Sequence, residues 1–577
     1  MAFGRRLATS VSAAAAVAIL AIFVFLLLNP SRKHLGWVRD SAADLVLRNA
    51  TIYTSDASIP FAEAMAVRNG RILRVGSDAS VQDLIGERTR EMNLEGKVVL
   101  PGFIDSHVHL IFGGLQIGHL KLHGTKSKED FVMKIEAAVK DKILGEWVFG
   151  GGWNNDIWGG ELPAASWIDD ITSDNPVCLT RMDGHMSLVN SLALKIAGIT
   201  NSSLDPFGGK IYKTINGEPT GLLIDSAMKL VHTVIPEVSA NDRRKALIKA
   251  SNYALMKGVT TVVDMGRYFP GAPVDNSWQD LSDVYKWADS SGKMLIRVCL
   301  FFPLQTWLRL SDLFKDKGRS LSQWIYIGGV KAFADGSLGS NSALFHEPYE
   351  DDPHNYGLQV SNFDWLLNAT LASDKAGLQV AVHAIGDKAN DMVLDLFSSV
   401  KSVNEDIDHR FRIEHAQHLV PKATSRFGAQ GVIASVQPDH ILDDAIFAEI
   451  KIGKNRAQRG SYLFRSLLIG GAKLAFGSDW PVADIDPLRS IKTAMTRIPP
   501  GEETAWIPNE SIELDDALNA YTIGAAYGCF MEKEIGSLSA GKYADFVILP
   551  ASTWEELKTS LPSSVSATFV NGMQAYP

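Results

Sequence analysis

The sequence predicts an α/β protein in which a (β/α)8 TIM barrel carries a smaller β-sandwich formed by both chain ends, preceded by an N-terminal transmembrane anchor. Three observations support this prediction: eight apolar runs in the middle of the chain, β-rich segments at both ends, and one long apolar stretch near the start. With 577 residues, the chain is too long for one ordinary core. The predicted units are 1–40 for the anchor, 41–97 and 536–577 for the sandwich, and 98–535 for the barrel.

The anchor prediction rests on the stretch VSAAAAVAILAIFVFLLL at 11–28, which contains no charged residue. Its length is near the lower limit for crossing a bilayer and is long for the apolar part of a signal peptide. Arg5 and Arg6 precede it and no clear cleavage site follows, so we favour a membrane anchor over a cleaved signal. Such an anchor predicts an endomembrane location, at the endoplasmic reticulum or a perinuclear membrane. Basic residues on both flanks leave the orientation open.

The sandwich prediction rests on short, partly alternating apolar runs at both ends of the chain. Asn69-Gly70 lies between two such runs, and Asn571-Gly572 lies in the last segment. An Asn-Gly pair between two β runs is a strong hairpin signal. Two β-rich ends around a long middle favour one small β domain assembled from both termini.

The barrel prediction rests on eight short apolar runs that each end on polar or ionisable residues. Stretches with helical character separate the later runs, at 361–376, 388–402 and 421–430. Buried strands alternating with helices indicate a parallel fold, and eight units indicate a barrel. About 150 residues separate the first two runs, so we interpret 110–257 as an insertion over the barrel mouth. The runs are 98–109, 258–265, 294–302, 328–336, 378–387, 410–418, 431–439 and 472–481.

Composition and charge exclude several classes of function. The net charge is −9 and the Lys and Arg residues are scattered, so no basic stripe for nucleic acid is present in the sequence. Cys178, Cys299 and Cys529 are too far apart for a zinc knuckle and do not form a disulfide framework. A single apolar segment also excludes a membrane transporter. The sequence permits an oligomer.

Five of the eight runs place metal-capable side chains near their carboxyl ends, where parallel barrels collect functional groups. His107 and His109 in DSHVH are two residues apart, so on a strand both imidazoles face one side and can reach one ion. A lone strand-end histidine is more often a hydrogen-bonded core or rim residue, but recurrence in successive strands favours a site for a zinc-class metal. The predicted ligands are His107, His109, Lys331, His383, His415 and Asp479.

The segments DSHVH, VKAFADGSLGS, HAIGD, IEHAQ and FGSDWP, in this order, resemble the amidohydrolase superfamily. The chain is most similar to the branch that contains N-substituted formamide deformylases, and the resemblance runs from about residue 44 to the end. It implies a metal-dependent barrel with a β-sandwich built from both chain ends. It also implies one or two divalent metal ions, zinc first.

The resemblance assigns roles to matching residues. His107 and His109 would bind the more buried metal, and His383 and His415 the more exposed one. Lys331 would react with carbon dioxide and bridge the two metals as a carbamate, which requires a neutral amine. Otherwise Lys331 is a barrel lysine paired with an acid such as Asp335, and the site holds one metal. Asp479 would bind the first metal and act as general base and acid.

Further residues are predicted with less direct support. Asp105 would orient a metal ligand or serve as a loop or capping acid. His185, in DGHMS, would be a second catalytic residue that contacts the substrate carbonyl, or a structural one. Trp158 would belong to a substrate wall or a packed lid. The residues predicted to contact substrate are Trp153, Asn154, Asp335 and Asp387.

These features together predict a metal-dependent hydrolase of carbon–nitrogen bonds other than peptide bonds. The expected substrate is a small amide or an N-substituted formamide. One alternative is a mononuclear deaminase or an esterase-like hydrolase of the same superfamily, although HAIGD lacks the glutamate that a deaminase would favour. A second alternative is a catalytically silent signalling scaffold, which would be expected to have lost ligands.

Overall fold

The computed structural model describes residues 42–405 and 408–577 of the chain. Within these ranges the strands form four sheets, the largest of which is an eight-stranded parallel sheet. Its first and last strands, Phe103–Val108 and Lys473–Phe476, lie side by side, and Val108 forms a parallel bridge with Trp480. The sheet is therefore a nearly closed barrel, which confirms the predicted barrel.

Each of the eight predicted apolar runs overlaps one barrel strand of the described chain, and neighbours in sequence are neighbours in the sheet. Nearly every residue of these strands is buried, as expected for a parallel sheet covered on both faces. The barrel strands, first to eighth, are Phe103–Val108, Val259–Asp264, Arg297–Pro303, Ile325–Phe333, Gln379–Ala384, Arg412–His415, Ile433–Val436 and Lys473–Phe476.

Helices separate the barrel strands along the chain. The three predicted helical stretches correspond to Phe363–Lys375, Asp387–Val403 and Ala423–Gln430, each within about two residues of the expected bounds. A π-helical turn, Leu281–Tyr285, joins two short helices between the second and third strands. The other α-helices are Leu110–Gln116, Lys128–Val139, Ser191–Ile196, Lys229–His232, Ala240–Met256, Asn276–Asp280, Lys286–Ser290, Trp307–Lys317, Ile441–Ile452, Lys454–Gly460, Phe464–Ile469, Pro487–Thr496, Leu514–Tyr521, Ile523–Tyr527 and Trp554–Thr559.

Two smaller sheets are built from the ends of the described chain and share one apolar core. Both predicted Asn-Gly hairpins are present, and Asn69 and Asn571 adopt positive φ of 50° and 52° as such turns require. The four-stranded sheet has the order Arg71–Gly76, Ala64–Arg68, Leu45–Arg48 and Arg90–Asn93. The six-stranded sheet has the order Met573–Tyr576, Ala567–Val570, Phe546–Ile548, Val98–Pro101, Thr51–Tyr53 and Phe61–Ala62.

The first predicted apolar run, 98–109, divides at Gly102 between two sheets. Val98–Pro101 pairs with Phe546–Ile548 in the six-stranded sheet, whereas the following residues enter the barrel. A side chain at Gly102 would begin 2.4 Å from the hydroxyl oxygen of Thr260, so the crossing requires glycine. The run thus connects the terminal sheets directly to the strand that carries the DSHVH motif.

The predicted insertion contains a sheet and a core of its own. Its mixed six-stranded sheet packs against Phe131 and Ile135 of the helix Lys128–Val139, and Ala240–Met256 returns the chain to the barrel wall. The strands of this sheet are Leu120–Lys121, Val148–Trp153, Val177–Arg181, Met186–Val189, Gly209–Lys213 and Pro219–Asp225. The insertion is therefore a folded layer, and several of its side chains line the cavity described below.

The predicted anchor at 11–28 lies outside the described residues. Among the helices that the structure does describe, none combines the length and the apolar character needed to cross a membrane.

Candidate metal centre

The carboxyl ends of the first and eighth barrel strands bring three predicted ligands together. Oδ1 of Asp479 lies 3.3 Å from Nε2 of His107 and 3.4 Å from Nε2 of His109. His107 and Asp479 are buried, and His109 is partly buried. Their ligand atoms are close enough to hold one metal ion, so the two imidazoles of DSHVH do face one point.

Hydrogen bonds at the second ring nitrogen orient both imidazoles. Nδ1 of His107 donates to Oε2 of Glu414 at 2.6 Å, and Nδ1 of His109 donates to the carbonyl of Gly266 at 2.6 Å. Nε2 is then the nitrogen left for a metal in each ring. Such backing by carboxylates and carbonyls is typical of metal-binding histidines. Burial, together with the nearby Lys331, lowers the pKa of His107 to about 4, which keeps the ring neutral.

Glu414 is itself held by a buried arginine. Oε1 of Glu414 accepts a hydrogen bond from Nε of Arg412 at 2.7 Å, and neither side chain is exposed. Burial opposes ionisation of Glu414, but Arg412 and His107 outweigh it and hold the pKa of this carboxyl well below its usual range. The Arg412–Glu414–His107 chain therefore fixes the first predicted ligand from behind.

His383 and His415, at the ends of the fifth and sixth strands, lie beside the first three ligands. Their ring centres are 4.5 Å apart, and the ring of His107 is 5.0 Å from that of His415. Nε2 of His383 donates to the carbonyl of Gly336, and Nδ1 of His415 donates to the side-chain oxygen of Gln437. Each ring keeps one nitrogen for a ligand. Burial lowers the pKa of both histidines well below the usual range.

Lys331, at the end of the fourth strand, lines the same cavity as these ligands. Its side chain is buried, and its Nζ lies 4.9 Å from the centre of the Phe333 ring. Within residues 42–405 and 408–577 it has no hydrogen bond or ion pair. Burial lowers the pKa of Lys331 to about 8, so about a tenth of the amine is neutral at pH 7, far more than for an ordinary lysine. Asp335, the alternative partner predicted for Lys331, accepts hydrogen bonds from backbone amides instead.

The loop after the eighth strand is tied to the first strand, which places Asp479. The Asp479 amide donates to the carbonyl of His107 at 2.7 Å, with Asp479 at a positive φ of 58°. Oδ1 of Asp105 accepts hydrogen bonds from the amides of Ser478 and His107. Asp105 thus positions two ligand-bearing segments, as a predicted orienting acid would, and burial raises its pKa to about 7.

His440 joins the centre although the sequence analysis did not single it out. It ends the short turn Pro438–His440 after the seventh strand, and its Nε2 lies 4.0 Å from Oδ2 of Asp479. This nitrogen is buried and has no hydrogen-bond partner in the described part of the chain. His415, His440 and Asp479 form a second group that could hold a metal ion. Asp479 therefore belongs to both metal-capable groups, with Oδ1 near His107 and His109 and Oδ2 nearest to His440.

His185, from the insertion, reaches the same centre. Its ring centre lies 4.9 Å from that of His383, and its Nδ1 donates to Oδ1 of Asp225 at 2.6 Å. Burial disfavours the charged ring, but Asp225 outweighs it and raises the pKa of His185. Nε2 is the nitrogen left for the cavity. The position of His185 fits the predicted contact with a substrate carbonyl. The contact itself stays a prediction.

The cavity over the centre has two neighbouring lobes, and His185, His383, His415 and Asp479 line both of them. The space beside Lys331, which has mostly apolar and aromatic walls, is called the inner lobe. The more polar space beside His440 is called the outer lobe. Besides the four residues named above, the inner lobe is lined by His107, His109, Phe112, Met228, His232, Phe269, Lys331 and Phe333, and by the polar Thr180, Asp183 and Ser187, among others. The outer lobe is lined by Asn154, Asp156, Arg181, His440, Asp443, Asp444, Phe447 and Lys451, among others.

Among the predicted substrate contacts, only Asn154 lines a described lobe of the cavity. Trp153 is buried in the core of the insertion, with its indole N–H on the carbonyl of Leu179, so it builds the layer instead of the cavity wall. Trp158 is likewise outside both lobes and packs on Phe131.

Asp335 and Asp387 do not reach the cavity because both bind backbone amides. The carboxylate of Asp335 accepts from the amides of Leu344, Ile385 and Gly386, which fixes the loops after the fourth and fifth strands. Asp387 starts the helix Asp387–Val403, and its Oδ1 accepts from the amide of His346. Both acids thus hold the ends of the ligand-bearing strands in place.

The donor set suits a zinc-class metal. Neutral imidazoles with a fixed free nitrogen, plus ionised Asp479, are borderline ligands of the kind that zinc prefers. Burial opposes ionisation of Asp479, but His107, His109 and His415 hold its pKa well below the usual range. Nε2 of His107 is also buried without a hydrogen-bond partner in the described chain, and a metal bond would satisfy it.

Comparisons with known proteins agree with this geometry. Residues 90–576 match a model of the amidohydrolase family. The chain is 60% identical to protein LONG AFTER FAR-RED 3 of Arabidopsis thaliana, over 93% of this chain and 92% of that one. It is 26% identical to the N-substituted formamide deformylase of Arthrobacter pascens, over 92% and 98% of the two chains.

Among solved structures, an uncharacterised metal-dependent hydrolase from Pyrococcus horikoshii OT3 matches with a TM-score of 0.69 and 28% identity, over 88% of this chain and 97% of that one. The family match covers both the barrel and the strands of the terminal sheets from residue 90 onward. We conclude from the barrel, from the candidate ligands at its strand ends and from these similarities that this protein belongs to the amidohydrolase family.

Proposed function

We propose that this protein is a metal-dependent hydrolase that cleaves carbon–nitrogen bonds in small amides, with N-substituted formamides as the first class to test. One observation carries the proposal: the free nitrogens of His107 and His109 and one oxygen of Asp479 converge beneath a cavity. The name of the Arthrobacter pascens relative supports the choice of formamides.

The first metal position would be formed by His107, His109 and Asp479, and the second by His383 and His415 with Lys331. A divalent metal at this centre, zinc first, supplies Lewis acidity that lowers the pKa of water and polarises a carbonyl. The protein fixes the ligands in advance, because each of these imidazoles is hydrogen-bonded at its other nitrogen. That preorganisation is what a catalytic centre needs.

Lys331 would complete a two-metal centre as a carbamate. The neutral amine attacks carbon dioxide, a nitrogen–carbon bond forms, and one proton leaves to solvent. Its position supports this role, because the side chain is buried among the predicted ligands and has no competing hydrogen bond or ion pair in the described chain. Burying such an amine without a partner is costly, and carboxylation converts it into an anion that cations stabilise.

Asp479 and His185 would move and hold protons around the scissile bond. Asp479 is ionised, so it accepts the proton of the attacking water and returns it to the leaving nitrogen. His185, with Nδ1 bound to Asp225, would donate a hydrogen bond from Nε2 to the carbonyl oxygen as negative charge develops there.

The test uses the full-length protein loaded with zinc and measures acid release from N-benzylformamide, formanilide and N-benzylacetamide. Ethyl formate, followed by acid release, and adenine, followed by ammonia release, serve as the ester and deaminase probes. We expect amide cleavage that falls by about 10²- to 10⁴-fold in Asp479→Asn, the usual range for an acid–base residue. Asp484→Asn, which alters a rim acid hydrogen-bonded to Tyr253, is the matched control and should retain activity. Cleavage of only the ester or only adenine would refute the amide proposal.

A further inference from the structure

The inner lobe has a feature that the ligand cluster does not explain, which is the unpaired side chain of His232. This residue ends the short helix Lys229–His232 in the insertion and lines the lobe. Its ring meets the ring of Phe269 edge to face, with centres 5.3 Å apart and an interplanar angle of 80°. Phe269 in turn lies 5.4 Å from Phe112, so His232 belongs to an aromatic wall.

His232 differs from the other imidazoles of the lobe in its hydrogen bonding. The other five each have one ring nitrogen bonded to protein, whereas His232 has no such bond within the described residues. Its Nδ1 is buried. Burial alone lowers the pKa of His232 to about 4, so the ring is neutral and offers one donor and one acceptor.

An unpaired buried polar group loses its hydrogen bonds to water without replacement, and native proteins satisfy nearly all such groups. A phenylalanine in this position would preserve the contact with Phe269 without that penalty. A polar ring on the wall of a cavity is therefore explained most simply by a polar group of the ligand. The surrounding wall favours an aromatic ligand, because Phe112, Phe269 and Phe333 offer ring faces and edges for offset or edge-to-face packing.

We propose that the inner lobe binds an aryl group that bears a hydroxyl, and that His232 is the specificity-determining residue that hydrogen-bonds this hydroxyl. The inference rests on the proposed function, since the aryl group would belong to the amide that is cleaved. A hydroxyl suits a neutral imidazole in either tautomer, because it can donate to one nitrogen or accept from the other. An ionised carboxylate is less suited, since a neutral ring would not offset its loss of solvation.

The test measures binding, which does not require turnover. Zinc-loaded full-length protein is titrated by calorimetry with 4-hydroxyphenylacetohydroxamic acid, phenylacetohydroxamic acid and hexanohydroxamic acid. We expect the hydroxylated compound to bind about tenfold tighter than the unsubstituted aryl compound, as one hydrogen bond of about 1.4 kcal/mol would give. The alkyl compound should bind more weakly than either.

His232→Phe keeps a ring against Phe269 and should abolish the tenfold preference while changing the affinity for phenylacetohydroxamic acid by less than about twofold. His232→Gln retains a donor and an acceptor and should restore part of the preference. His354→Phe, at an exposed position, is the matched control. A preference that persists in His232→Phe, a wild type without preference, or equal binding of the alkyl compound would overturn the inference.

The two proposals fail in distinguishable ways. A protein that hydrolyses no amide but retains the His232-dependent preference contradicts the proposed function and leaves the aryl-hydroxyl site standing. A protein that hydrolyses amides without any such preference contradicts the aryl-hydroxyl site alone.

Discussion

Replacing Glu414 by Gln should weaken metal binding without touching any predicted ligand. Glu414 accepts hydrogen bonds from Arg412 at 2.7 Å and from Nδ1 of His107 at 2.6 Å, in a site with no exposure to solvent. The substitution keeps the size of the side chain but removes the charge that both partners require. Nε2 of His107 then becomes a poorer ligand, because its ring loses the anion that fixes its tautomer and raises its basicity.

The magnitude follows from the two contacts. Leaving Arg412 as an uncompensated buried charge should lower the free energy of unfolding by about 3–5 kcal/mol. Losing the carboxylate behind His107 should raise the Kd for zinc by about 10- to 100-fold. The assays are urea unfolding of the metal-free protein and zinc titration against a competing chelator.

Glu532→Gln provides the matched control, because Glu532 also pairs with an arginine, Arg410 at 2.9 Å, but at a site that solvent reaches. That substitution should lower the free energy of unfolding by less than about 1 kcal/mol and leave the Kd for zinc unchanged. The reasoning is refuted if Glu414→Gln binds zinc as tightly as the unaltered protein while remaining folded.

Three further predictions follow from the same structure. Removing the metal with a chelator should lower the thermal unfolding midpoint, because a ligand that binds only the folded state stabilises it. In His107→Gln the chelator should lower the midpoint by less, because this variant binds the metal more weakly. A midpoint that does not respond to the chelator would contradict the metal centre. His440→Gln should weaken binding of a second zinc equivalent by about tenfold or more in calorimetry while the first is retained, because His440, which groups with His415 and Asp479, would add a ligand to the second position formed by His383, His415 and Lys331. Equal affinity for both equivalents in that variant would exclude His440 as a ligand. Burial raises the pKa of Asp444 from 3.8 to about 6. Between these pH values the folded state binds more protons than the unfolded state, so the free energy of unfolding falls as the pH rises through this range. Asp444→Asn should remove up to about 3 kcal/mol of this decrease, measured as the free energy of unfolding from pH 4 to 8 in both proteins; identical pH profiles would show that Asp444 does not contribute.

The barrel and its ligand set were predictable because both follow from short-range patterns. A buried strand of four to nine residues needs a continuous apolar run, and the residue at its end lies at the barrel mouth regardless of the loops that follow. His107, His383, His415 and Asp479 could therefore be brought together from sequence order alone. The Asn-Gly turns were equally local, since few residue pairs adopt two consecutive positive φ angles.

Residues that act through a partner were harder to identify. Glu414 is adjacent to a predicted ligand, but its role depends on its contact with His107 on the first strand. The two residues are 307 positions apart in sequence, so only the folded barrel brings them together. His440 follows the seventh apolar run directly, and the strand-end rule would have found it if the run had been extended by one residue.

The surroundings of three residues predicted to contact substrate could not be read from the sequence for a different reason. Trp153 lies in a strand of the insertion whose burial depends on how that sheet packs, which no local pattern specifies. Asp335 and Asp387 each follow a predicted ligand by four residues, which suggested contact with substrate, yet their carboxylates bind amides of neighbouring loops. His232 lies 125 positions from the first ligand, and only the folded insertion brings it to the inner lobe.

The most direct measurement of the central claim is formate release from N-benzylformamide by the zinc-loaded full-length protein, with bound zinc quantified in the same samples. We expect the unaltered protein to bind zinc and release formate, and Asp479→Asn to release formate at least about 10²-fold more slowly. Release at the same rate by Asp479→Asn, or after zinc has been removed, would contradict this expectation. A zinc-bound protein that releases no acid from any amide tested would contradict it equally.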